Sequence, residues 1–129
     1  MAGGYATYGD WSGGVSYFYM GEPGPGKAAL ELRHLRDFFE KLPFRELTPH
    51  DELISPGFCL AKPPELYVFY FFAEGKSAVD LTATRDSQLD ARWFAPRTGN
   101  WKNGPALKAG QNDLTPPEAG DWVLLVQKK

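Results

Sequence analysis

The sequence predicts a mostly β protein, an antiparallel β-sandwich with one N-terminal amphipathic helix. Three observations lead there. Aromatic residues make up 15% of the chain, which favours pleated, half-buried surfaces. Fourteen glycines and eleven prolines in 129 residues make it turn often. A single stretch carries helical periodicity, and the rest breaks into short apolar runs separated by turn residues. The length suits one core, large enough to fold without a disulfide or a structural metal.

Residues 1–26 are rich in Gly and Tyr, with Asp10 and Glu22 their only charged side chains. They show no sustained period of 2 or 3.6 and end in the cluster Pro23 to Gly26. They read as an irregular segment packed by its aromatics. Lys27 to Leu42 reads as the helix. Leu32, Leu35, Phe38, Phe39 and Leu42 follow the i, i+3, i+4, i+7 spacing of one face. Glu31, Arg33, Arg36, Asp37 and Glu40 mostly point the other way, and Pro43 stops the helix. A lone amphipathic helix must bury its stripe on something, here the sandwich or another chain.

From Phe44 the texture is β. Expected strands are Gly57–Lys62, Leu66–Phe72, Ala78–Ala83, Gln88–Phe94 and Asp121–Val126, with a short one at Pro105–Leu107. Seven or eight strands fit the spacing. Turns are expected at Glu74-Gly75-Lys76 and Asp86-Ser87, and a loop over Pro96 to Gly104. Leu66–Phe72 is apolar on both faces, so it should be a central strand covered on both sides. Val79 and Leu81 oppose Asp80 and Thr82. Leu89, Ala91 and Trp93 oppose Asp90 and Arg92, the pattern of a half-solvated sheet.

Several function classes fall away. A net charge of −2 without a basic face argues against nucleic-acid binding. The longest apolar run, Leu66 to Ala73, is far short of the ~20 residues a membrane span needs. No basic-then-apolar leader is visible at the N-terminus. The single Cys59 excludes an internal disulfide and a cysteine-based zinc site, and it leaves the compartment open.

Catalytic patterns are also missing. A two-carboxylate glycosidase needs an acid and a base or nucleophile about 5–10 Å apart. Asp10, Glu22, Asp51, Glu52, Asp80, Asp86 and Asp90 form no local pattern and read as surface or turn carboxylates. His34 sits among helix charges, and Cys59 between Phe58 and Leu60 reads as a buried apolar residue. His50, Asp51 and Glu52 are consecutive, so their side chains are expected to diverge. No metal site, no cofactor and no phosphate-cradling loop is predicted.

Aromatics offer the better lead. Sugar rings stack on exposed Trp and Tyr, while nearby carboxylates and amides bond their hydroxyls. Tyr8, Asp10 and Trp11 form one candidate ligand site, set against plain packing of a Gly-rich segment. Trp101, in the loop Asn100-Trp101-Lys102-Asn103, is the other. Trp93 and Trp122 lie on apolar strand faces and should be core.

The run Ala91-Arg92-Trp93-Phe94-Ala95-Pro96-Arg97-Thr98-Gly99 resembles a turn of the small β domain, named for collagen binding, that closes apiosidase-like (β/α)8 glycoside hydrolases. Leu47–Leu53, Gly57–Ala61, Tyr67–Tyr70, Val79–Leu81 and Asp121–Leu125 resemble further pieces of that domain, in order. Met1–Gly9 looks like the glycine-rich stretch near the end of those barrels, and Lys27–Leu42 like the final barrel helix. The resemblance implies residues 1–43 as barrel end and 44–129 as the sandwich. It places the family's catalytic carboxylates on earlier barrel strands, so no catalytic residue carries over. The expected function is a non-catalytic accessory domain of a carbohydrate-active enzyme, structural or weakly glycan-binding. Two alternatives stay open. One is a glycoside hydrolase acting on plant-type or host glycans with chemistry supplied by another segment or partner; the other is a collagen- or protein-binding module. Expected partners are a glycan, a second copy or a barrel domain, with no nucleic acid and no membrane.

Overall fold

Alternating apolar residues along successive runs build two antiparallel sheets that share one core. The computed structural model describes residues 27–72, 75–85 and 88–129, with side chains from Leu30 onward. Helix α1 spans Lys27–Phe39. Nine strands follow among the described residues: β1 Thr48–Pro49, β2 Ile54–Ser55, β3 Phe58–Lys62, β4 Leu66–Phe71, β5 Ser77–Asp80, β6 Leu89–Ala95, β7 Asn100–Asn103, β8 Gln111–Leu114 and β9 Trp122–Lys128. The large sheet runs β1-β3-β4-β9-β6-β7 and the small one β2-β5-β8. The expected sandwich with one helix on its N-terminal side is present.

Period-2 alternation splits the core into two layers. Tyr67, Phe69 and Phe71 of β4 point between the sheets, with Trp122, Leu124 and Val126 of β9. Val79, Leu81 and Leu114 meet them from the small-sheet side. Trp93 joins this layer edge-on to Phe71 and Trp122, with ring centroids 5.0 and 6.3 Å away. Leu66 and Val68 of β4, Val123 and Leu125 of β9 and Phe94 of β6 point to the opposite face, where they cluster with Phe38 of α1 and with Leu47 and Leu60. β4 is therefore central and covered on both sides, as its two apolar faces require.

Helix α1 ends at Phe39, before the expected Leu42, nine strands stand among the described residues where seven or eight were expected, and three further elements differ from the sequence reading. Pro105–Leu107 forms no strand, and the eighth strand is Gln111–Leu114, in which Gln111 and Asp113 are exposed, Asn112 is half-buried and Leu114 is buried. Ala78–Ala83 is cut short. The backbone N–H and hydroxyl of Thr82 both donate to Asp80 Oδ1, at 2.8 and 2.5 Å, and fold the chain into a 3-10 turn over Thr82–Thr84. The loop over Pro96 to Gly104 is largely a hairpin. β7 pairs with β6 from Arg92↔Asn103 to Ala95↔Asn100. Gly99, at φ +74, supplies the turn, as expected. The turn residues Glu74, Asp86 and Ser87, and the whole Gly/Tyr-rich segment, lie outside the described residues.

Candidate functional site

The helix anchors on the sheet by its C-terminal end. Phe38 is 3% exposed, and its ring lies 4.9 Å from Phe94 and 5.6 Å, nearly parallel, from Trp101. Phe39 packs edge-on against Phe44 at 5.1 Å. One and two turns earlier the stripe loses its cover. Leu35 is 40% and Leu32 39% exposed. The helix and the sheet thus leave a cavity of about 510 Å³ between them. Leu32, Leu35, Phe38 and Phe39 form its helix wall. Val68, Phe94, Pro96 and Val123 form its sheet wall. Within the chain, the sandwich covers the helix stripe fully at Phe38 and partly at Phe39 and Leu42.

The rim of this groove is polar. Glu31, expected on the solvent face, lines it, as do Tyr70 and Asp121. Asp121 joins sheet to turn. Arg97 Nε donates to its Oδ1 at 2.6 Å, and the Tyr70 hydroxyl donates to its Oδ2 at 3.4 Å. Burial, and then the Asp121 carboxylate, push the Tyr70 phenol above its ordinary range. Beyond Tyr70 the apolar surface continues. Phe58 stacks on Tyr70 at 6.5 Å and meets Phe72 at 5.3 Å, and both are exposed. The sequence reading missed Phe58, Phe72, Pro96 and Asp121. The signal was present in the strand register: Phe58 and Phe72 share the face of Leu60 and Val68, which the helix only partly covers.

Trp101 sits in β7 instead of a loop, and it is half-buried. Its ring contacts Phe38 and Phe94, and the Arg92 guanidinium carbon lies 4.7 Å from its centroid. It belongs to the layer under the helix. Tyr8, Asp10 and Trp11 lie outside the described residues. Trp93 and Trp122 are core, as read from their strands.

A second, polar cleft of about 230 Å³ lies along the 96–100 turn, between Arg97, Thr98, Lys102 and Glu118. Lys102 pairs with Glu118, and its ammonium lies 5.3 Å from the centroid of Trp122. The Trp122 indole N–H donates to the Glu118 carbonyl at 3.0 Å.

His50 and Glu52 do not diverge. A 3-10 turn over Asp51–Leu53 brings Glu52 Oε1 to 2.7 Å from His50 Nδ1, and Thr48 Oγ1 lies 3.1 Å from Nε2. The hydrogen bond from His50 holds Glu52 below the usual carboxylate range. Asp51 turns the other way and accepts from the Cys59 N–H at 2.8 Å. Cys59 is fully buried, and burial pushes its thiol up to about 12, so it is an inert packing residue. Among the described residues no group of three or more His, Cys, Asp or Glu comes together as metal ligands. No described helix is long and apolar enough to cross a membrane.

Solved structures share this fold, two glycoside hydrolases among them. One is described as a glycoside hydrolase, with a TM-score of 0.68 at 16% identity, covering 80% of this chain and 25% of that one. The other is a glycoside hydrolase family 5 protein from Bacteroides vulgatus, with a TM-score of 0.66 at 15% identity, covering 75% and 24%. Their likeness is one of fold, and this chain spans about a quarter of their length. An 80% share exceeds residues 44–129, so that match reaches into the residues before Phe44. No curated protein sequence matches. A sequence-family profile matches residues 56–127, more than half of the chain, and covers β3 to β9; the chain belongs to the family described as "Putative collagen-binding domain of a collagenase".

Proposed function

We propose that this domain is a non-catalytic accessory module of a carbohydrate-active enzyme of the apiosidase-like kind. Its role is structural: it presents a docking face to a catalytic barrel. The observation that carries this reading is the open apolar face beside α1. The exposed Leu32 and Leu35, the groove they border, and the exposed Phe58 and Phe72 beyond Tyr70 lie on one side of the large sheet. A face of this kind, rimmed by polar groups, is built for a protein surface. The fold shared with one quarter of two larger glycoside hydrolases supports the same reading. Weak glycan binding through the accessible part of Trp101, with Tyr8, Asp10 and Trp11, is the secondary role. The test is a glycan array and an aryl-glycoside assay on the purified chain, with collagen as a second ligand. No turnover and at most weak sugar affinity are expected. Hydrolysis abolished by one Asp or Glu substitution would overturn the reading, and tight, saturable collagen binding would replace it with a protein-binding module.

A further inference from the structure

Three side chains of complementary chemistry line up at the edge of the large sheet. Thr48 lies in β1, the edge strand, and His50 follows two residues on, at the spacing that shares a strand face. The His50 N–H donates to the Cys59 carbonyl at 2.9 Å, which ties it to β3. The Leu53 N–H donates back to the His50 carbonyl at 3.0 Å, and the Cys59 N–H donates to Asp51 Oδ1 at 2.8 Å. These bonds hold the 3-10 turn that returns Glu52 to His50. The three side chains are thus mounted on backbone pinned to the sheet. A carboxylate only accepts, so Nδ1 of His50 carries the ring proton and donates to Glu52 Oε1 at 2.7 Å. In the neutral ring Nε2 is then an acceptor, and it faces Thr48 Oγ1 at 3.1 Å. The Ala61 carbonyl, at 3.4 Å, is a longer and weaker acceptor for the same hydroxyl. A base within reach of a hydroxyl, and itself oriented by a carboxylate, is the arrangement that activates a nucleophile.

We propose that Thr48, His50 and Glu52 form an acyl-transfer relay that hydrolyses activated esters of small carboxylic acids. Thr48 Oγ1 attacks the acyl carbon while its proton passes to His50 Nε2. The ester C–O bond breaks, the leaving group departs as an alkoxide or phenolate, and the acyl group stays on Thr48. The proton on Nε2 is then lost to the leaving group or to water. A water molecule, giving its proton to Nε2, attacks the Thr48 ester, and that proton returns to Oγ1 as the acid leaves. The net change is ester plus water to acid plus alcohol. Thr48 and Glu52 are exposed, so water solvates the oxyanion. A fixed oxyanion donor would add on the order of 10²–10³ in rate. Without one, the leaving group must depart unaided, which selects aryl esters. The inference does not rest on the docking face, and glycosidic bonds play no part in it.

The test gives p-nitrophenyl acetate to the full chain, with peptide mass mapping of the acetyl group and absorbance of the released phenolate. Acetyl on Thr48 is expected, followed by its hydrolysis. His50→Ala should slow acetylation of Thr48 about a hundredfold, the scale of general-base catalysis. Glu52→Gln should slow it less, because the base remains and only its orientation is loosened. Thr48→Ala should lower phenolate release to the level of His50→Ala. Thr48→Ser should keep both acetylation and release, which separates the hydroxyl's chemistry from its place in the fold. Circular dichroism checks that each variant is folded. Acetyl found on lysines but not on Thr48 would overturn the proposal, and so would Thr48 acetylation unchanged in His50→Ala. Release that persists in Thr48→Ala would overturn it too, by making His50 the nucleophile. Aryl-glycoside turnover or collagen binding would leave these readouts unchanged, so the relay and the docking reading fail separately.

Discussion

The Tyr67 hydroxyl is buried in the sandwich core with no hydrogen-bond partner among the described residues. Burying an unpaired hydroxyl costs about 1–3 kcal/mol. Its ring stacks on Phe69 at 5.8 Å, and a phenylalanine would keep that contact. Tyr67→Phe is therefore expected to leave stability unchanged or raise it by about 1 kcal/mol in urea denaturation. A loss of 1 kcal/mol or more would show that the hydroxyl has a partner. Cys59 is a similar case of side chain against surroundings: a thiol pushed up to about 12 by burial serves as volume. At the surface, His50 and Glu52 became a pair only because a 3-10 turn placed residues two apart side by side. Sequence spacing alone could not show that turn.

Helix α1 and the β6–β7 hairpin depend on each other. Phe38 packs onto the ring pair of Phe94 and Trp101, which are register partners across the hairpin and touch each other. Gly99 at the hairpin tip lies so close to His34 that a Cβ there would sit 2.6 Å from its Nδ1. The turn thus needs glycine both for its positive φ and for the helix above it. Two tryptophans on this hairpin should report different things. Trp93→Ala removes core volume from between the sheets and is expected to cost about 3–5 kcal/mol. Trp101→Ala removes a half-buried platform under the helix and should cost about 1–2 kcal/mol. It should also speed amide exchange in residues 27–39 while leaving β4 and β9 protected. Equal destabilisation by both, or unchanged exchange in the helix, would show that α1 is held elsewhere.

At the scale of the whole molecule, acid should weaken the fold through carboxylates that are paired when folded. The Thr82 hydroxyl and N–H hold Asp80 low, His50 holds Glu52 low, and Lys62 holds Glu65 low. A carboxyl with a depressed folded pKa stabilises the fold above its unfolded pKa. That contribution is lost as pH falls through the folded value. The melting midpoint should hold from about pH 7 to 5 and decline below about pH 4.5, in the carboxylate range. Asp80→Asn should flatten that decline by removing one linked group. A variant with the same slope as the wild type would show that Asp80 is not linked to folding.

Much of this architecture was legible in the residues themselves. The two apolar faces of Leu66–Phe71 required a central strand, and the alternation Leu89, Ala91, Trp93 put that tryptophan in the core. The stripe from Leu32 to Leu42 announced one helix. These follow from local periodicity, which depends only on backbone geometry. Tertiary structure decided the rest. Trp101 looked like a loop residue because Gly99 and Asn100 read as loop, yet strand pairing with Phe94 drew it beneath the helix. Gln111–Leu114 is too polar to read as a strand and exists because β5 supplies its hydrogen bonds. The groove had no linear signature at all. It arises because Phe38 packs onto the sheet while Leu32 and Leu35, on the same stripe, remain exposed along its wall. Sequence determines which faces must be covered; how far one element can cover another is a matter of three-dimensional distance.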